Sequence, residues 1–152
     1  MVVDIMSYNP IFATRTTAET TAITNNVLNF TGSTLNKATP VRIALDGTMN
    51  AVDVAIESDV LTLVGVLSNT TLHGYKGKVI SSGKIEDITT SANIGETIYL
   101  SKTGTLTNQV PTIGVDGFVA DDFVVRLGVL AANDTNPILK DLIVNISVVG
   151  TL

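Results

Sequence analysis

The stretch GETIYLSKTGTLTNQVP, residues 95–111, carries the pattern that decides the fold. Ile98 and Leu100 alternate with Thr97, Tyr99 and Ser101, the period of two of a strand with one buried face. Lys102-Thr103-Gly104 then reverses the chain, with Gly104 free to adopt positive φ. Thr105 to Thr107 returns beside the first strand. The segment reads as a hairpin in a barrel wall, with Ile98 and Leu100 toward the core and Thr97, Tyr99 and Ser101 outward.

The same signals recur outward from this hairpin. In AVDVAIE, Val52, Val54 and Ile56 alternate with Asp53, Ala55 and Glu57. In DLIVNISVVG, Leu142, Val144, Ile146 and Val148 oppose Ile143, Asn145 and Ser147. PVRIAL, VLTLVGVL, GKVISSG, GTLTN and DFVVRLGVL are further strand candidates, separated by Gly, Asn and Asp at short spacings. Gly65 in LVGVL and Gly128 in RLGVL each interrupt an apolar strand, the signature of a bulge or a close backbone approach. Only TNPILKDL shows helical promise, where Pro137 opens a single turn. Many short strands with regular turns predict an all-β chain, a small barrel or sandwich of antiparallel strands over residues 27–152.

Residues 1–26 differ. ATRTTAETTAIT places six threonines between Thr14 and Thr24 with neither helical nor strand periodicity. β-branched threonine disfavours helix, and the segment holds little that forms a core. It reads as an extended arm ordered on a neighbour or, alternatively, as a plain disordered terminus. The residues expected to make contacts are Thr14, Thr16, Thr17, Thr20, Thr21 and Thr24 on the arm, with Tyr99 on the hairpin.

Composition narrows the function. Of 152 residues, 15% are charged against a usual ~25%, while 45% are hydrophobic. That balance suits a surface partly covered by other protein. A formal charge of −5 and scattered basic residues argue against a nucleic-acid partner. The absence of cysteine excludes disulfides and thiolate metal sites. MVVDIMSYNPIF has no basic region before an apolar one, so no secretory signal is expected. No apolar run approaches the ~18 residues of a membrane span, and no membrane partner is expected. The sequons at Asn29, Asn69, Asn133 and Asn145 then read as chance in a Thr- and Asn-rich chain.

A search for catalytic groups finds little. His73 in LHGYKG is the single histidine, with no flanking nucleophile motif. Glu86-Asp87 and Asp121-Asp122 are adjacent pairs, and neighbours on a strand face opposite sides. Asp53, Glu57 and Asp59 cluster in sequence on what reads as a solvated face. No D-x-[DN]-x-[DN]-G calcium loop occurs, although an Asp-rich loop leaves calcium open. Gly74-Tyr75-Lys76-Gly77 lacks the strand–loop–helix setting of a phosphate cradle. The expectation is a protein that is not an enzyme and has no cofactor.

The order of phrases, PVRIAL, LVGVLSN, HGYKGKVISSGKIED, GETIYLSKTGTLTNQVP and DFVVRLGVLAAND, resembles the small β-barrel modules of tailed-bacteriophage virions. It looks most like capsid decoration (cement, head-auxiliary) proteins, over roughly residues 30–152. GETIYLSKTGTLT followed by RLGVL carries the likeness. The resemblance implies a structural virion protein on the outer surface of a phage head, made in the host cytoplasm. It implies the major coat protein as partner, and a homo-oligomer, a trimer, that stabilises the head. A head-fibre or tail-associated receptor-binding module, or a tail or knob subunit, is the alternative. The Thr-rich start departs from the compact form of that family.

Overall fold

The computed structural model describes residues 22–152. Its strands are β1 (Ile23–Leu28), β2 (Pro40–Ile43), β3 (Met49–Asn50), β4 (Leu63–Leu67), β5 (Lys76–Ile88), β6 (Thr97–Leu100), β7 (Leu106–Thr107), β8 (Phe123–Ala132) and β9 (Lys140–Thr151). One short helix, α1 (Glu57–Leu61), precedes β4. All strand pairings are antiparallel, and the sheet curls into a half-barrel. The chain is all-β, as its periodicity indicates. β1 begins at Ile23, so residues 23–26, read above as the end of the arm, form the first strand.

The pairing register shows how the half-barrel is made. β4 joins the first half of β5 through Val66↔Ile80 and Leu67↔Val79, and β9 joins its second half through Ser82↔Asn145 to Ile88↔Lys140. β1 lies along Lys76–Ser82, with Ser81 an extra residue in the register. β5 therefore belongs to two limbs, ordered β3-β2-β4-β5-β1 and β7-β6-β8-β9-β5. The bulge at Ser81 turns β5 over between them, since an extra residue shifts the alternation of faces. That places both Ile80 and Ile85 in the main core.

The two limbs repeat one pattern. Pro40↔Val66, Val41↔Gly65 and Arg42↔Leu63 correspond to Thr97↔Val129, Ile98↔Gly128 and Tyr99↔Arg126. The hairpin pairs Arg42↔Asn50 and Ile43↔Met49 correspond to Tyr99↔Thr107 and Leu100↔Leu106. Even loop bonds recur: Ala38 N–H to Leu67 O and Gly95 N–H to Leu130 O are both 2.8 Å. Gly65 and Gly128 hold the same place in each limb. A Cβ at either would run into the carbonyl oxygen of Ile80 or of Ile143 on the next strand, so only glycine lets these ladders close.

The opening hairpin forms as read. Ile98 and Leu100 are buried, Gly104 sits at φ +79°, and Ser101 N–H bonds Thr105 O at 2.8 Å. A Cβ on Gly104 would lie 3.1 Å from Val52 O, so the turn packs against the chain leaving β3. Nearby, Phe123 N–H donates to Val54 O at 2.9 Å. These contacts close one side of the half-barrel.

Three expectations are corrected. AVDVAIE is not a strand: Val52 and Val54 are buried, but they lie in a turn that crosses the barrel mouth, and Ile56 is exposed. The helical turn expected at TNPILKDL is absent; residues there form turns before β9, and the one helix among the described residues is α1. In β9, Leu142 and Val144 are buried as expected, whereas Val148 is exposed, because β9 runs past the end of its pairing with β5.

The main core gathers Val66, Ile80, Ile85, Leu100, Leu127 and Leu142 with their neighbours. A second cluster, Val27, Val41, Met49, Leu67 and Val79, lies on the other face of the first limb. β4 thus packs against apolar clusters on both faces, which is why LVGVL, residues 63–67, reads as an apolar run without polar alternation.

Candidate interaction surface

Because β5 turns over at its bulge, equivalent rows of the two limbs face opposite ways. Pro40, Val66 and Ile80 are buried. Their counterparts Thr97, Val129 and Ile143 lie on the outer face of the second limb, where Ile143 is 41% exposed. Directly opposed residues on antiparallel strands share a face. Lys84, Ile143, Val129 and Thr97 therefore form one row, and Ser147, Arg126, Tyr99 and Thr107 another. Tyr99 is half-buried at the centre of this face, flanked by Arg126. Tyrosine and arginine are the side chains that most often carry binding energy at protein interfaces.

Of the other contact residues expected from sequence, Thr14, Thr16, Thr17, Thr20 and Thr21 lie outside the described residues. Thr24 is exposed on β1, opposite Ile80. It is not brought near Tyr99: β5, β9 and β8 separate their strands in the sheet order.

The ionisable groups build structure. Asp122, 1% exposed, accepts both hydrogen bonds of a pair from Lys102 Nζ, at 2.7 and 2.9 Å, and a third from Val119 N–H at 2.9 Å. Burial pushes this carboxyl up, but the Lys102 hydrogen bonds, the Val119 N–H and the ammonium charge together outweigh it and hold the group below the ordinary 3.8. Asp59, at the equivalent place in the first limb, is also buried and meets Arg42 Nε at 2.9 Å. Asp141 is buried too, accepting from Asp87 N–H and from Asn133 Nδ2. Hydrogen bonds from Lys84 to Glu86, then to Asp141, raise the lysine above its ordinary value. Asp59 and Asp122 stand among the acidic pairs and clusters of the sequence and Asp141 does not, but the burial of all three is hidden there, because each meets a partner distant along the chain.

The remaining candidates resolve individually. Asp121 is exposed while Asp122 is buried, so that pair does not converge. Asp53 is spent on a local turn, accepting from Ala55 N–H at 2.9 Å. His73 Nδ1 accepts from Gly32 N–H at 3.0 Å, and its ring lies 4.7 Å from that of Phe30. Among the described residues no group of three or more acidic or histidine side chains is gathered to hold a metal, and no helix is long and apolar enough to cross a membrane.

Comparison with protein-family models, with curated proteins and with solved structures returned no match.

Proposed function

We propose that this chain is a structural virion protein, a decoration or cement protein that binds the outer surface of a phage head. It binds as a homo-oligomer, a trimer in keeping with the resemblance of its phrases. The observation that supports this reading is the outer face of the second limb. The first limb has both faces covered, whereas the outer face of the second leaves Ile143 exposed and Val129, Tyr99 and Arg126 half-buried. Such a face suits contact with another protein surface. Binding there stabilises the assembled shell by mass action, because coat subunits held by a clamp must release it before they separate.

The test is co-sedimentation with phage heads stripped of decoration protein, followed by heating. Binding that raises the temperature of head rupture supports the proposal, and Tyr99→Ala with Arg126→Ala should weaken binding without unfolding the chain. Heads that neither bind nor gain heat resistance refute it.

A second reading, a receptor-binding module on a head fibre or tail, draws on another feature. Phe30 and Tyr75, 63% and 67% exposed, stand with His73 in neighbouring loops. Exposed aromatic rings suit stacking on sugars. Retention on host cells without affinity for heads favours it.

A further inference from the structure

The second limb has an unpaired edge. β9 and β8 direct their hydrogen bonds to each other through Ile143, whose carbonyl faces Gly128. Residues on one strand alternate between its two edges, so Leu142 and Val144 serve β5, and Gly83 and Ile85 answer them. Lys84 therefore presents its backbone groups to the opposite edge. β1 covers that edge only as far as Ser82, and beyond it no described strand pairs with that edge of β5.

A groove follows this edge. It begins as a depression lined by Ala22, Thr24, Lys78, Lys84, Ile85 and Glu86, and continues past Ala38 and Ile88 toward Thr90 and Leu106. The chain enters it directly: Ala22 lies so close over Gly83 that a Cβ there would meet the Ala22 side chain at 2.5 Å. β1 runs antiparallel to β5, so Ala22 sits on the side from which β5 continues past Lys84 to Ile88.

We propose that residues 17–21 of the same chain, Thr-Ala-Glu-Thr-Thr, occupy this groove as a strand added to the free edge of β5. The joining point fixes the occupant, since no linker separates the segment from the groove and its effective concentration there is high. Five extended residues span ~16 Å, the length of β5 from Gly83 to Ile88. β-branched threonines suit a strand. Glu19 is the one charged side chain of the segment, and at the groove entrance Lys37, Lys78 and Lys84 outnumber Glu86 and Asp87. The proposal rests on reading the N-terminal residues as extended, and leaves residues 1–16 to reach a neighbour.

The chain lacks cysteine, so paired cysteines can be introduced cleanly. Glu19→Cys, opposite Glu86 in the extended register, is combined in separate proteins with Glu86→Cys or Lys37→Cys, and the full-length chains are oxidised gently. An internal disulfide, read as faster migration of the monomer on a non-reducing gel, supports the proposal. Disulfide dimers between singly substituted chains mixed together assign the groove to the arm of a second copy, and overturn it. No bond in either pair also overturns it. Hydrogen exchange gives an independent readout on the unlinked chain. Glu19→Lys with Thr20→Pro should speed exchange at the Lys84 amide by roughly tenfold or more while leaving Leu142 protected; unchanged exchange at Lys84 counts against the strand. Both measurements use the free protein, so head binding can fail without touching them, and the reverse.

Discussion

Replacing Lys102 by Met isolates the lock beneath the β6–β7 hairpin. Methionine keeps a stem of similar length against Gly117, whose Cβ position lies 3.6 Å from Lys102 Cγ, and removes the ammonium. The Asp122 side chain is 2% exposed, so water cannot take the place of the two lost hydrogen bonds, and one donor, Val119 N–H, remains. Breaking a buried ion pair costs about 3–5 kcal/mol. The Lys102 side chain is 25% exposed, so solvent already screens part of the attraction, and about 3 kcal/mol is expected. For a domain of this size that lowers Tm by roughly 6–12 °C. The pH dependence carries a sign. In the parent chain the Asp122 carboxyl titrates below 3.8, so its contribution is complete above that value and is lost as pH falls through the folded pKa. In Lys102→Met, burial is opposed by the Val119 N–H alone, and the carboxyl is expected to rise above 3.8. The variant is then relieved by protonation, and its deficit against the parent shrinks as pH falls from 7 to 4. Adding Asp122→Asn to Lys102→Met should recover part of the loss at pH 7. Urea melts at fixed protein concentration measure all three chains. A Lys102→Met loss below ~1 kcal/mol, or a deficit that grows on acidification, would refute this account of the lock.

Gly65→Ala and Gly128→Ala should each destabilise by about 2–3 kcal/mol in urea melts, since the added methyl meets a carbonyl of the next strand; near-neutral values at both sites contradict the close approach. Ala38, at φ +71°, holds the place that Gly95 holds in the other limb at φ +87°, so Ala38→Gly should stabilise by up to ~1 kcal/mol and Gly95→Ala should cost about as much. Leu100→Ala, at a fully buried side chain, should cost ~3 kcal/mol, measured in the same way. Phe30→Ala should change stability by under ~1 kcal/mol, because the ring it removes is mostly exposed; a larger loss in thermal melts would make the Phe30–His73 contact part of the fold's support.

The strands were legible where alternation coincided with a hydrogen-bonded ladder, as in ETIYLS and DLIVN. AVDVAIE misleads because period two reports alternate burial, and a loop crossing a barrel mouth buries alternate valines without a ladder. TNPILKDL misleads through its proline, which equally suits the turn that precedes β9. The glycines of LVGVL and RLGVL carried their meaning openly, since a lone glycine among apolar residues has few other reasons to be there. The buried aspartates were opaque: an acid on a turn looks solvated until a lysine or arginine from a distant hairpin is laid over it. Of the contact surface, Tyr99 was readable from the hairpin alone. Arg126, Val129 and Ile143 needed the register and the turning-over of β5 to place them outward.

β5 alone among the described strands pairs with three others, β1, β4 and β9, and this constrains its length more than any other strand's. A residue inserted or lost near Ser81 would displace Val79 and Ile80 from β4, or Gly83 and Ile85 from β9, and reverse which side chains meet the interior. The connectors at 89–96 and 133–139 bear no such double constraint. Tolerance to insertion should therefore be high in those connectors and vanish within β5.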